Sequence, residues 1–169
     1  MKEVKIKVLL VCLGNICRSP TAEGVLRKRI ETAGWGRLFE IDSAGTAAYH
    51  IGEPPDLRSQ QHARQRGYDI SRLRGRQLQS SDLHNFDYVL AMDSSNLADI
   101  RRLEKITPDA RAEIGLFLDY CPEHYGENVP DPYYGGPGGF ETVLDLAEAA
   151  SDGFIKTVLK KQGLLGCGC

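Results

Sequence analysis

Residues 4–20 read VKIKVLLVCLGNICRSP. From Val4 to Val11 the run is β-branched and mostly apolar, the composition of a buried strand. A short glycine-containing loop comes next. Ser19-Pro20 then supplies an N-cap residue with proline at the first helical position. Ala22, Val25, Leu26, Ile30 and Ala33 recur at helical spacing until Gly34 ends the run. A strand that turns through a short loop into a helix presents backbone N–H groups and the positive end of the helix dipole at one point, which is an anion site.

The rest of the chain repeats the alternation. Phe39 to Ala44 reads as a short strand ending in SAGT, and Asp56 to Arg66 as a polar helix closed by Gly67. Phe86 to Met92 (FDYVLAM) is another buried strand, and DSSN after it caps a helix running to about Leu103. Ile114 to Leu118 is a last strand. Phe140, Val143, Leu144, Ala147, Ala150, Phe154, Ile155 and Val158 mark one long amphipathic helix. Strands alternating with helices predict an α/β fold, a parallel sheet covered on both faces. In such sheets ligands bind beyond the carboxyl ends of the strands, where the first loop, SAGT and DSSN should gather.

At 169 residues, with 41% hydrophobic and 26% charged, the chain has the size and composition of one globular domain. We assign that domain to residues 1–162 and read GLLGCGC (163–169) as a floppy end. A redox relay, a soft-metal clip and a lipidated Cys-x-Cys terminus are the other readings of Cys167 and Cys169. A net charge of −2 argues against a general nucleic-acid binder. No apolar run reaches membrane-spanning length, and the N-terminal apolar segment lacks a small-residue cleavage site. Five cysteines, two of them in one loop, make a poor disulfide framework and fit a reducing cytoplasm. His50, His62, His84 and His124 share no metal-ligand spacing, and no cofactor is expected. Arg58, Arg64, Arg66, Arg72, Arg74 and Arg76 read as a solvated helix face and turn, with recognition of acidic peptides as the alternative.

The opening loop carries the chemistry. Gly14 permits a backbone conformation that other residues resist, and Arg18 adds a planar fork of donors suited to phosphate oxygens. A thiol such as Cys12, placed at the mouth of an anion nest, is held as the thiolate and becomes a nucleophile for phosphoryl transfer. The nucleotide-binding pattern G-x-x-x-x-G-K-[ST] is absent. The plain alternative for Cys12 is a buried cysteine at a strand end.

CLGNICRSPTAEGV (12–25) resembles the signature loop of the low-molecular-weight protein tyrosine phosphatases. The likeness extends to DSAGT (42–46), AMDSSN (91–96) and DPYYGG (131–136). The resemblance implies a four-stranded parallel sheet, Rossmann-like, with the phosphate-binding loop after strand 1. It implies that Cys12 is the nucleophile, that Arg18 clamps the phosphate, and that Leu13, Gly14, Asn15, Ile16, Cys17, Arg18 and Ser19 form the phosphate-binding loop. Ser19 would hydrogen-bond the sulfur, and Asn15, Ser19 and Ser43 would hold the loop's shape. The substrates implied are phosphotyrosine-containing proteins or peptides; no nucleic-acid or membrane partner is expected from charge and hydropathy, and monomer and weak dimer are both open.

A departing phenolate requires a proton. Asp131 lies between two prolines; an Asp-Pro by itself reads as a turn, and the resemblance makes Asp131 the general acid. Tyr133 and Tyr134 come next as aromatic walls. By resemblance they join Leu13 and Tyr49 at the pocket rim, with ordinary core packing as the alternative for Tyr134. Asp93 reads as a helix cap and loop brace. Cys17 either packs or traps an oxidised Cys12 as a disulfide. Some relatives brace the loop with a histidine near the position of Leu73, where this sequence has none. Two rivals share the loop: arsenate reductases, which need further cysteines where this chain has none between Cys17 and Cys121, and protein-arginine phosphatases, which tend to carry Thr at the position of Ile16.

Overall fold

Strand β1 (Ile6–Cys12) passes through a five-residue loop into helix α1 (Arg18–Thr32), in a computed structural model that describes residues 5–136 and 138–165. After these come β2 (Phe39–Gly45), α2 (Leu57–Gln65), a single turn α3 (Asp82–Asn85), β3 (Tyr88–Ala91), α4 (Ser94–Lys105), β4 (Glu113–Leu116) and α5 (Gly138–Lys161). Two 3₁₀ turns, Phe117–Tyr120 and Pro122–His124, connect β4 to the loop before α5. The four strands are parallel in the order β2-β1-β3-β4.

β1 is an inner strand, paired on both sides, and its residues alternate between two cores. Val8, Leu10 and Cys12 face α1 and α5, joining Val25, Leu26, Phe117, Phe154 and Val158. Leu9 and Val11 face the other way, onto Leu83, Val89, Ala91 and Ile100 under α3 and α4. A strand buried on both faces is apolar at almost every position, which is why Val8 to Val11 read as continuous rather than alternating. Because β1 feeds β2 on one side and the chain then crosses to β3 on the other, the crevice outside the carboxyl end of β1 is the topological switch point.

Several expected boundaries move. α1 starts at Arg18, one residue before the predicted cap, with Cys17 at the N-cap position and no side-chain cap. The backbone is already turning at Cys17, whose carbonyl accepts from the hydroxyl of Thr21 at 2.7 Å. Ser19 is therefore inside the first turn, with its hydroxyl free for other work. β3 is shorter than the apolar run 86–92, although the Met92 N–H still donates to the Val11 carbonyl beyond the ladder. Nothing in the sequence announces α3 or the 3₁₀ turns, since pieces of three or four residues leave no periodicity to read.

The arginine-rich segment is solvated at Arg58, Arg64, Arg72 and Arg74, as expected, while Arg66 and Arg76 are half-buried and tie the segment to the rest of the domain. Arg66 pairs with Glu141, Asp145 and Glu148 of α5, and Arg76 with Asp42 and Asp82. Arg58 pairs with Asp56, the N-cap of α2. No helix among the described residues is long and apolar enough to cross a membrane. Val4, the expected start of the first strand, and Cys167 and Cys169 lie outside the described residues.

Candidate active site

The carboxyl end of β1 delivers Cys12, and the exit of β2 ties down the start of the loop. The N–H groups of Thr46 and Ala47 donate to the carbonyls of Cys12 and Leu13. Gly45 allows this approach, since a Cβ there would lie 2.6 Å from the Leu13 oxygen. The left-handed residue of the loop is Asn15, at φ 58°, and not Gly14 as expected. Asparagine tolerates that region when its short amide can bond locally. Gly14 serves a different need, for its Cβ would press to 3.1 Å from the His50 ring.

Asn15 is the hub of the loop. Its N–H points at the Cys12 sulfur at 3.3 Å, and its Nδ2 donates to Ser19 Oγ at 2.7 Å and Ser43 Oγ at 3.0 Å. Its Oδ1 accepts from the Arg76 N–H at 3.1 Å. Ser19 Oγ lies 3.0 Å from Cys12 Sγ. Ser43 in turn donates to Glu23 Oε1 at 2.6 Å, and Arg27 donates to Glu23 Oε2 at 2.6 Å. Burial pushes the Glu23 carboxyl above the usual carboxylate range, against the opposing pull of Ser43 and Arg27. Leu73 merely packs on the core, so the brace that a histidine gives some relatives is supplied here by Glu23 and the Arg76 backbone. Sequence reasoning misses Glu23. The available signal is its place four residues before Arg27, an ordinary surface pattern that hides a side chain only 3% exposed.

Arg18 is also almost fully buried. Its Nη1 donates to Asp93 Oδ2 at 2.5 Å and to the Val129 carbonyl at 3.1 Å, and its Nη2 lies 3.9 Å from Asp131 Oδ2. Asp93 does two things at once, since its other oxygen caps α4 by accepting from the Asn96 N–H at 2.7 Å. Asp131 is half exposed, and its Oδ1 accepts from the Tyr133 N–H at 3.0 Å.

Cys12, Leu13, Gly14, Ile16, Cys17, Arg18, Tyr49, His50, Asp131, Tyr133 and Tyr134 surround one pocket of about 190 Å³. Asn15, Ser19 and Ser43 stand behind it, holding the loop. Tyr133 and Tyr134 meet edge to face at 4.8 Å, and Tyr134 and Tyr49 are rim residues, 94% and 72% exposed. Tyr134 is thus not core. The Arg58 guanidinium lies over the Tyr133 and Phe140 rings, and its Nη2 donates to the Tyr133 carbonyl at 3.1 Å. His50, its Nδ1 at 2.5 Å from Glu53, is a pocket residue that nothing in the sequence singles out. Cys17 packs with Ile16 and Phe140, and burial pushes its thiol up to about 12. Among the described residues no group of three or more His, Cys, Asp or Glu is placed to hold a metal ion.

A sulfur ringed by a hydroxyl and an amide, beside a buried guanidinium and facing a carboxyl group, is equipped for transfer of a phosphoryl group through sulfur. Residues 7–164 match the family model of the low molecular weight phosphotyrosine protein phosphatases. The chain belongs to that family. A low molecular weight protein-tyrosine-phosphatase of Streptomyces coelicolor is 46% identical over 154 residues, covering 90% of this chain and 93% of the relative. The crystal structure of a protein tyrosine phosphatase from Entamoeba histolytica with Hepes in its active site superposes with a TM-score of 0.84. The two are 39% identical, and the match covers 95% of this chain and all of the other. A Drosophila arginine phosphatase also superposes, with a TM-score of 0.85 at 32% identity over 90% of this chain and 98% of its own. The fold alone therefore does not separate the two substrate classes within this phosphatase family.

Proposed function

We propose that this phosphatase hydrolyses phosphotyrosine, and small aryl phosphates, in two steps through Cys12. The observation that carries the reading is the convergence of Cys12, Arg18 and Asp131 on one pocket walled by tyrosines. The Cys12 thiolate attacks phosphorus, the bond from phosphorus to the phenolic oxygen breaks, and Asp131 gives its proton to that oxygen. Arg18 neutralises the equatorial phosphate oxygens with the edge that Asp93 leaves free. Ionised Asp131 then takes a proton from a water that attacks the cysteinyl phosphate. The phosphorus–sulfur bond breaks and inorganic phosphate leaves. Ser19, 3.0 Å from the sulfur, stabilises the departing thiolate. The chemistry uses no metal or cofactor.

The test is turnover of para-nitrophenyl phosphate with EDTA present, in the native chain and in Cys12→Ser. Activity is expected in the first and none in the second; full activity in the variant, or dependence on added metal, refutes the mechanism. The likeness to the Drosophila enzyme makes phosphoarginine the second reading. Ile16, an apolar pocket residue where arginine phosphatases tend to carry Thr, favours tyrosine. A panel of phosphotyrosine, phosphoserine and phosphoarginine peptides separates the readings by rate.

We assign Cys17 a protective role. Hydrogen peroxide converts the Cys12 thiolate to the sulfenic acid and releases hydroxide. The Cys17 sulfur then forms the disulfide while water departs with its proton. The free thiols of Cys12, Cys17 and Cys121 suit a reducing compartment such as the cytoplasm, where thiol reductants return the pair to the active form.

A further inference from the structure

The stretch Pro130-Asp131-Pro132 has only one backbone N–H, that of Asp131, since neither proline can donate. Among the described residues no backbone hydrogen bond from that N–H is present. The tripeptide that carries the carboxyl group is a span held at its ends. Downstream, Arg58 Nη2 grips the Tyr133 carbonyl at 3.1 Å. Upstream, the Val129 N–H donates to the Met92 carbonyl at 2.8 Å, and the Val129 carbonyl accepts from Arg18. One more bond acts on the upstream end: the Ser94 N–H donates to Asn128 Oδ1 at 2.9 Å.

That donor is the first N–H of α4, one of the orphan amides that every helix start must satisfy. Asp93 satisfies Asn96, two residues further in, and pairs with Arg18. The start of α4 is therefore a common abutment. One cap residue fixes the phosphate clamp, and the next amide fixes the acid-bearing loop. Both side chains act on the distance between Arg18 and Asp131, now 3.9 Å.

We infer that Asn128 is a positioning residue for proton transfer: by accepting the Ser94 N–H it sets where Asp131 meets the leaving oxygen. The inference rests on the assignment of Asp131 as general acid. A side chain that places the acid affects substrates in proportion to their need for a proton, so its loss steepens the dependence of kcat/KM on leaving-group pKa. It leaves the binding of inorganic phosphate, a task of the opening loop, unchanged.

Three variants test this on a series of aryl phosphates running from good to poor leaving groups. Asn128→Ala removes the acceptor at an exposed site, so folding is not at stake. Ser94→Pro removes the donor. Proline is well tolerated at the first helical position, and Asp93 before it is already extended (φ −146°, ψ 173°), as a residue preceding proline must be. Asn128→Asp keeps the acceptor. For the poorest leaving groups Asn128→Ala and Ser94→Pro should each lose roughly three- to tenfold in kcat/KM, the scale of one net hydrogen bond. The double variant should lose no more than either single, and Asn128→Asp should restore the native slope. The proposal is overturned by a uniform loss across the series, by no loss, by additive losses in the double variant, or by failure of the aspartate to rescue. Asp131→Ala is run alongside. A native slope in that variant refutes the acid and the positioning role of Asn128 together; a steep slope there with a native slope in Asn128→Ala refutes the positioning role alone.

Discussion

Glu23 lies two hydrogen bonds from the reactive loop's hub, and Glu23→Ala isolates its contribution. The substitution removes the acceptor of the Ser43 hydroxyl, the partner of Arg27, and most of a buried side chain. A buried hydrogen bond to a carboxyl group is worth about 1.5–3 kcal/mol. The Arg27 pair adds little, since that guanidinium is 39% exposed and returns to water. With the vacated space included, the expected loss is about 2–4 kcal/mol. The domain should survive this, because ordinary stabilities are about 5–15 kcal/mol. At this chain length Tm should fall by roughly 5–15 °C. Freed from Glu23, Ser43 no longer fixes one arm of the Asn15 amide, the group that holds a strained φ of 58° beside the sulfur. We expect kcat/KM on para-nitrophenyl phosphate to fall about tenfold, the equivalent of one net hydrogen bond. Glu23→Gln is the control. It keeps the acceptor and removes the buried charge, so it should hold the native rate. Because burial raises the folded-state pKa of Glu23, the folded chain binds a proton at this carboxyl more tightly than the unfolded chain does. Its stability relative to Glu23→Gln should be greatest in acid and fall as the pH rises from the ordinary carboxyl value of 4.5 through the raised one. Glu23→Ala with native Tm and native rate, or Glu23→Gln as damaging as the alanine, refutes the reasoning.

Other perturbations have equally definite outcomes. Asp131→Ala should cut turnover of aryl phosphates by about 10²–10⁴ while competitive inhibition by inorganic phosphate stays intact, read from steady-state kinetics. Peroxide followed by mass mapping should show a Cys12–Cys17 bridge. As burial keeps the Cys17 thiol protonated below about 12, bridge formation should accelerate as the pH rises from about 7 to about 9. Recovery of a Cys17→Ser variant by added thiol at the native rate would count against protection. Gly153→Ala should destabilise by about 3 kcal/mol or more in denaturant titration, because the new Cβ would overlap the Tyr120 carbonyl oxygen where α5 crosses the 3₁₀ turn.

Periodicity and contiguous motifs set the limit on what is legible in this sequence. β1 is legible because its apolar run from Val8 to Val11 is unbroken, and α1 and α5 because apolar spacing of 3.6 persists for several turns. The pocket residues are legible because Cys12 to Ser19 are contiguous and DPYY is a recognisable string. Glu23, Asn128 and Arg58 are invisible as site residues. Each acts through a contact far away in the chain, 20 positions for Glu23 to Ser43 and 75 for Arg58 to Tyr133. The helix start is misplaced for the same reason. Ser19-Pro20 is a good local cap, but the hydroxyl does more for Asn15 and Cys12 than it would for a helix amide. Propensity alone assigns the strained conformation to Gly14, whereas the hydrogen bonds of its own backbone and amide let Asn15 hold it.

The inner place of β1 has a consequence for how this molecule fails. Local opening of a sheet begins at its margins, and β2 and four-residue β4 are the edge strands here. The amides of Leu9 to Val11 sit between two neighbours and should exchange with solvent deuterium only when the entire domain comes apart. The sulfur at the end of that strand shares its fate, so loss of phosphate binding on heating or in denaturant should coincide with loss of the last protected amides.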